Sequence, residues 1–160
     1  MIIEIPGKPI PLARPRFWAQ GSKFGARDSQ KMEKAVARGF MVKSLREALN
    51  CEIKASVIEA SKMSEASAFS IEMKFIFPFL KSWSKKKVVE QEKCLEHGIT
   101  IVHHTKPDLD NLIKFYLDCA TGVIWDDDAN VCRISAQKCY GIEAKTVITI
   151  FPYWSKENLA

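Results

Sequence analysis

The chain reads as an α+β domain, a mixed sheet with helices packed on it. Three patterns point there. Around residues 69–79, "FSIEMKFIFPF" alternates, with Ile71, Met73, Phe75 and Phe77 on one side and Ser70, Glu72 and Lys74 on the other. That period of two marks a half-buried strand. Two other stretches carry apolar residues at helical spacing instead. Finally, the elements come in the order strand, helix, strand, helix, strand, helix, strand, strand, which ends on paired strands rather than a repeating βα alternation.

Each element has a local reason. "MIIEIPGKPIP" gives a strand over Ile2 to Ile5, broken by Gly7, Pro9 and Pro11. "LARPRFW" is extended, because a residue before proline avoids the helical region. A helix capped by Asp28 or Ser29 follows to about Asn50, with Met32, Val36, Phe40 and Leu45 or Leu49 as its apolar positions. Residues 51–67, rich in Ala, Ser and Glu, fit a short helix or a loop. The alternating strand stops at Pro78. "KSWSKKKVVEQEKCLEHG" is a surface helix closed by Gly98. "ITIVHH" is a strand ended by Lys106-Pro107, and a helix runs from about Asp108 to Ala120. "TGVIWDDDANV" turns into a loop. Val131 to Tyr140 and Lys145 to Pro152 are two closing strands, expected to form a hairpin around Gly141. Nothing in this order marks a linker, so residues 1–160 are expected to form a single domain.

Composition narrows the function classes. No stretch of about 18 apolar residues exists, so no membrane span is expected. The N-terminal stretch lacks the basic-then-apolar order of a signal peptide. Five cysteines, at 51, 94, 119, 132 and 139, show no CxxC spacing and fit reduced thiols in a cytoplasmic protein. The net charge is +5, a mild pointer to a polyanionic partner. That charge is uneven: residues 1–100 hold 18 Lys+Arg against 11 Asp+Glu, and residues 101–160 hold 6 against 8.

The acid is concentrated further still. His103 to Val131 holds six aspartates in 29 residues, set among Leu, Ile, Phe and Tyr. Asp108 and Asp110 stand at a helix start, where partial positive charge and unpaired N–H groups favour carboxylates. They are either a helix cap or a metal site. Lys114 lies one turn after Asp110 on the same face, as a salt bridge or as a phosphate contact beside a cation. "WDDDAN" then adds Asp126, Asp127 and Asp128, whose mutual repulsion is relieved by solvent or by a cation. Taken together the two acid clusters make a hard-oxygen site suited to Mg²⁺ and phosphate, the arrangement that hydrolysis of a phosphodiester needs. His103 and His104 are adjacent on a strand and point to opposite faces, so they read as ordinary polar or DNA-facing residues. The sequence has no Gly-rich phosphate loop and no G-x-S-x-G.

"KPDLDNLIK" from Lys106 to Lys114, followed about 13 residues later by "DDAN" from Asp127, resembles the RusA family of Holliday-junction resolvases. The opening "GKPIPLARPRF" is similar to that family's first strand and Arg-Pro-Arg loop. Thr121-Gly122 stands where the family carries Asn-Gly. The resemblance implies a RusA-like fold and an endodeoxyribonuclease that uses Mg²⁺, with Mn²⁺ as a substitute. It implies a homodimer that cuts four-way or branched DNA by paired nicks, in the cytoplasm of a bacterial or phage-infected cell. By the same motif, Asp108, Asp110 and Asp128 would be catalytic metal-binding carboxylates with Asp127 beside them. Lys114 would assist at the scissile phosphate. Arg14, Arg16, Lys106, Arg133 and Lys138 are the candidate DNA contacts. A non-catalytic branched-DNA binding protein and another Mg²⁺-dependent phosphoryl-transfer enzyme are the alternatives.

Overall fold

The computed structural model describes residues 1–13, 16–20, 23–27, 30–55 and 68–153, with backbone alone for 16–20, 23–27 and 48–55. The strands are β1 (Ile2–Pro6), β2 (Arg16–Gln20), β3 (Lys23–Arg27), β4 (Ala68–Pro78), β5 (Ile101–Val102), β6 (Val131–Gly141) and β7 (Lys145–Tyr153). The helices are α1 (Lys31–Ala55), α2 (Lys85–Glu96) and α3 (Leu109–Ala120). Five strands form one sheet in the order β1-β7-β4-β6-β5, and β2 and β3 pair separately. The sheet is mixed: β4 runs parallel to β6, and the other pairs are antiparallel. The α+β expectation holds.

β4 is the centre of the sheet for the reason its sequence gives. Ile71, Met73, Phe75 and Phe77 are all buried, on the face met by Ile148 and Ile150 of β7 and by Leu112, Phe115 and Tyr116 of α3. The opposite face carries Glu72 and Lys74. Tyr116 locks α3 to its surroundings. Its buried hydroxyl accepts hydrogen bonds from the Thr146 hydroxyl at 2.9 Å and from the Ile10 amide at 3.3 Å. Tyr116→Phe leaves both donors without their acceptor. The expected loss is about 1–3 kcal/mol, measured by urea denaturation. A loss of under about 0.5 kcal/mol, the range of an ordinary surface change, would mean that water replaces the hydroxyl.

The expected hairpin around Gly141 is not formed. β4 lies between β6 and β7, so residues 142–144 cross the end of β4 instead of turning back on β6. The crossing is tight. A Cβ at Gly141, the last residue of β6, would stand 2.6 Å from Cγ2 of Ile76, so any larger residue there would force Ile76 to move. Alternating strand patterns cannot report which strand lies between two others.

α1 also differs from its expected face. Met32 is 77% and Val36 58% exposed, whereas Ala37 and Met41 are buried. A small residue at 37 lets the helix approach β1 closely, and the buried stripe follows Ala37 rather than the larger side chains. The proposed cap residues, 28 and 29, lie outside the described residues, and of residues 51–67 only the end of α1, to Ala55, is described. α2 behaves as expected: no residue of it is buried, Ser84 caps it, and Gly98 follows with φ of 75°. No disulfide joins Cys94, Cys119, Cys132 or Cys139. Among the described residues no helix is long and apolar enough to cross a membrane.

Candidate metal and nucleic-acid site

α3 opens on Asp108, whose backbone is extended and whose carboxylate makes no capping hydrogen bond. The backbone oxygen of Asp108 still accepts from the Leu112 amide. Asp108 therefore starts the helix with its main chain and leaves its carboxylate to solvent. Asp110 is also exposed, and Lys114 Nζ lies 3.4 Å from its Oδ2. An exposed i,i+4 pair of that length is worth little as stabilisation. What it does is place an ammonium one turn from two hard-oxygen ligands.

The loop before Asp108 is held from behind. Lys138 Nζ donates to the carbonyl oxygens of Thr105 at 2.7 Å and Pro107 at 2.6 Å. These are charge-assisted bonds to a loop that has few others. Lys138 thus clips down the segment carrying Lys106, which is exposed and precedes a cis proline.

His103 supports the same loop and does not face outward. It is buried, with its ring stacked on Phe77 at 4.2 Å between centroids and tilted against Tyr140 at 4.7 Å. Its Nδ1 has no hydrogen-bond partner. The expectation of a polar or DNA-facing residue thus fails for His103, because the aromatic pocket takes the ring. His104 is exposed. Burial, with Lys138 nearby, pushes the His103 imidazole below its ordinary value of 6.5. The unfolded chain then binds this proton first as pH falls. Stability from His103 is complete above about pH 6.5 and is lost below it. In His103→Gln the drop in melting temperature between pH 7.5 and 5.5 should be smaller than in the unaltered chain. An equal drop in both would assign the acid sensitivity elsewhere.

The N-terminal segment is zipped to this end of α3. The Leu12 amide donates to the Asn111 carbonyl at 2.8 Å. Gln30 joins the segment to α1, donating to the Pro11 carbonyl at 2.8 Å and accepting from the Ala13 amide at 2.6 Å. The chain thus leaves for the β2–β3 pair from beside Asp110 and Asn111. Arg14 lies outside the described residues; Arg16 opens β2, opposite Arg27 in register.

The second acid cluster is built differently. Residues Asp128–Asn130 form a 3-10 turn capped by Asp127, whose Oδ1 accepts from the Ala129 amide at 2.8 Å. Asn130 Oδ1 accepts from the Asp127 amide in return. Asp127 is committed to the turn, whereas Asp128 is exposed and not part of that cap. Asp127 and Asp128 line a groove with Asp118 and Thr121, at the C-terminal end of α3. Asp108 and Asp110 lie at its N-terminal end. A helix of 12 residues is about 18 Å long. The four aspartates therefore form two pairs, and among the described residues no group of three His, Cys, Asp or Glu could hold a metal ion. Arg133 is exposed on β6.

Two carboxylates at a positively polarised helix end still fit Mg²⁺, which takes one or two carboxylates and keeps several waters. Sequence reasoning missed Lys31, Lys34 and Arg38, which share the groove with Asp127 and Asp128. Their spacing along α1 was the available signal. No curated protein matches the chain. The family model described as Endodeoxyribonuclease RusA matches residues 6–151. That span runs from the end of β1 through most of β7 and takes in both aspartate pairs, so the chain belongs to the RusA endodeoxyribonuclease family.

Proposed function

We propose that the chain is a Mg²⁺-dependent endonuclease that resolves four-way DNA junctions by paired nicks, acting as a homodimer in the cytoplasm. The observation that carries this is the exposed Asp108–Asp110 pair, unused as a cap, with Lys114 on the same face, in a chain of the RusA family. Nucleases of that family depend on divalent metal in general. Asp108 and Asp110 would hold the ion, Mg²⁺ or in its place Mn²⁺. When bound, it supplies positive charge at the scissile phosphate and makes a coordinated water more acidic.

The chain's own groups do the rest. Lys114 sets an ammonium beside the carboxylates, where it meets charge developing on the phosphate. Asp127 and Asp128 form the second hard-oxygen pair, with Asp128 the freer ligand. Lys138 acts mainly by fixing the loop before Asp108, and Lys106, Arg133, Arg14 and Arg16 are the proposed phosphate contacts. A two-fold dimer matches the symmetry of a four-way junction with two such sites. Residues 1–160 act in this reading as one nuclease domain.

The test is to incubate the protein with a four-way junction, a Y-fork and a linear duplex, in Mg²⁺ and in EDTA. Cuts confined to branched DNA and lost in EDTA support the reading. Tight binding with no cut in any metal would favour a branched-DNA binding protein instead.

A further inference from the structure

We infer that the groove between α1 and the Asp127–Asp128 turn is a subsite for the phosphodiester backbone of the bound strand, contacted by Lys31 and Arg38. The inference rests on the nuclease reading above and adds a place for the strand to run.

The groove has a volume of about 590 Å³ and two walls of opposite charge. Lys31, Lys34, Ala35 and Arg38 form one wall, and Asp118, Thr121, Asp127 and Asp128 form the other. Positions 31, 34, 35 and 38 fall on one stripe of a helix. From 31 to 38 the axial rise is about 10 Å, enough to reach neighbouring phosphates along one strand.

Lys34 and Arg38 already secure α1 to α3. Lys34 Nζ is 3.1 Å from Asp118 Oδ2, and Arg38 Nη2 donates to the Asp118 carbonyl oxygen at 3.2 Å. That accounts for one ammonium and one of the five N–H groups of a guanidinium. The remaining donors of Arg38 and the whole of Lys31, which is exposed, have no such task. Among the described residues no ion pair closes across the groove from Lys31 or Arg38 to Asp127 or Asp128. The groove is thus bridged at Asp118 by Lys34 and Arg38 and open between Lys31 and the Asp127–Asp128 turn, which leaves room there for a strand. Phosphates fit against α1, which keeps them off the acidic wall.

The experiment uses the full chain carrying Asp110→Asn, in Mg²⁺, binding a four-way junction over a range of salt. Adding Lys31→Gln and Arg38→Gln should weaken binding at least about tenfold. It should also flatten the slope of log K against log salt by roughly 0.9 for each lost contact. Lys43→Gln, on the same helix but not in the groove, should leave the slope as it was. A neutral methylphosphonate at the contacted phosphates should weaken binding by the parent chain and add little in the double variant. If the double variant folds poorly, Lys31→Gln alone serves, because that side chain is exposed. An unchanged slope, or equal methylphosphonate sensitivity in both proteins, overturns the inference. Failure of the parent chain to bind or cut branched DNA in Mg²⁺ would instead remove the nuclease reading beneath it.

Discussion

Replacing Asp110 with asparagine should lower Mg²⁺-dependent cleavage of a four-way junction by roughly 10³-fold, as loss of one charge-stabilising group at a reacting centre does. Binding should persist or tighten. The side chain keeps its size and position at the first turn of α3, so the fold is undisturbed. One negative charge is removed beside the proposed phosphate site, so repulsion with DNA should fall. The two readouts moving apart is the informative result. Lys114 sharpens it: its 3.4 Å contact with Asp110 is too weak and exposed to explain a large loss through stability. Cleavage at the parent rate would show that the Asp108–Asp110 pair holds no essential metal. Loss of binding and cleavage together would point to misfolding.

Phe75→Ala should be the most damaging change to the fold, at about 3–5 kcal/mol. Phe75 is fully buried at the middle of β4, with β7 on one side and β6 on the other. Its ring lies 5.6 Å from that of Tyr116, which carries α3. The cavity would open beneath the helix that presents Asp108 and Asp110. Against a total stability of about 5–15 kcal/mol such a loss leaves the protein marginal. Urea denaturation should show it, with Phe75→Leu losing clearly less. A loss of under about 1 kcal/mol would mean that the core refills the space and that β4 is less central than its burial indicates.

The strength of each local pattern decided what could be read in advance. β4 was legible because Ile71, Met73, Phe75 and Phe77 alternate with Glu72 and Lys74 and are all buried. α3 was legible because Asp108, the helical spacing and Gly122 mark its ends. The path between β6 and β7 was not, because no property of Ile142 to Ala144 says that the chain crosses β4. The buried stripe of α1 was missed because large side chains at 32 and 36 outweighed the small Ala37, and in close packing the small residue decides.

The site divides in the same way. Residue types and spacing single out Asp108, Asp110, Lys114 and the run Asp126 to Asp128, and the choice of Asp128 with Asp127 beside it is what the resemblance to the RusA family implies. They do not report that α3 stands between the two acid pairs, since a turn of unknown path separates them in the chain. Nor does spacing show that Lys138 spends its charge on two carbonyls, or that His103 is enclosed by Phe77 and Tyr140. Those facts depend on long-range contacts.

The most direct measurement uses a supercoiled plasmid that extrudes a four-way junction from an inverted repeat. A single nick relaxes the plasmid and reabsorbs the junction, so linear DNA arises only when opposed strands are cut within one bound complex. Linear product in Mg²⁺, absent in EDTA and absent with Asp110→Asn, is the expected result. Nicked circles alone would contradict paired cutting by a dimer. Untouched plasmid, with the junction bound, would contradict the assignment of Asp108 and Asp110 to a metal-dependent nuclease centre.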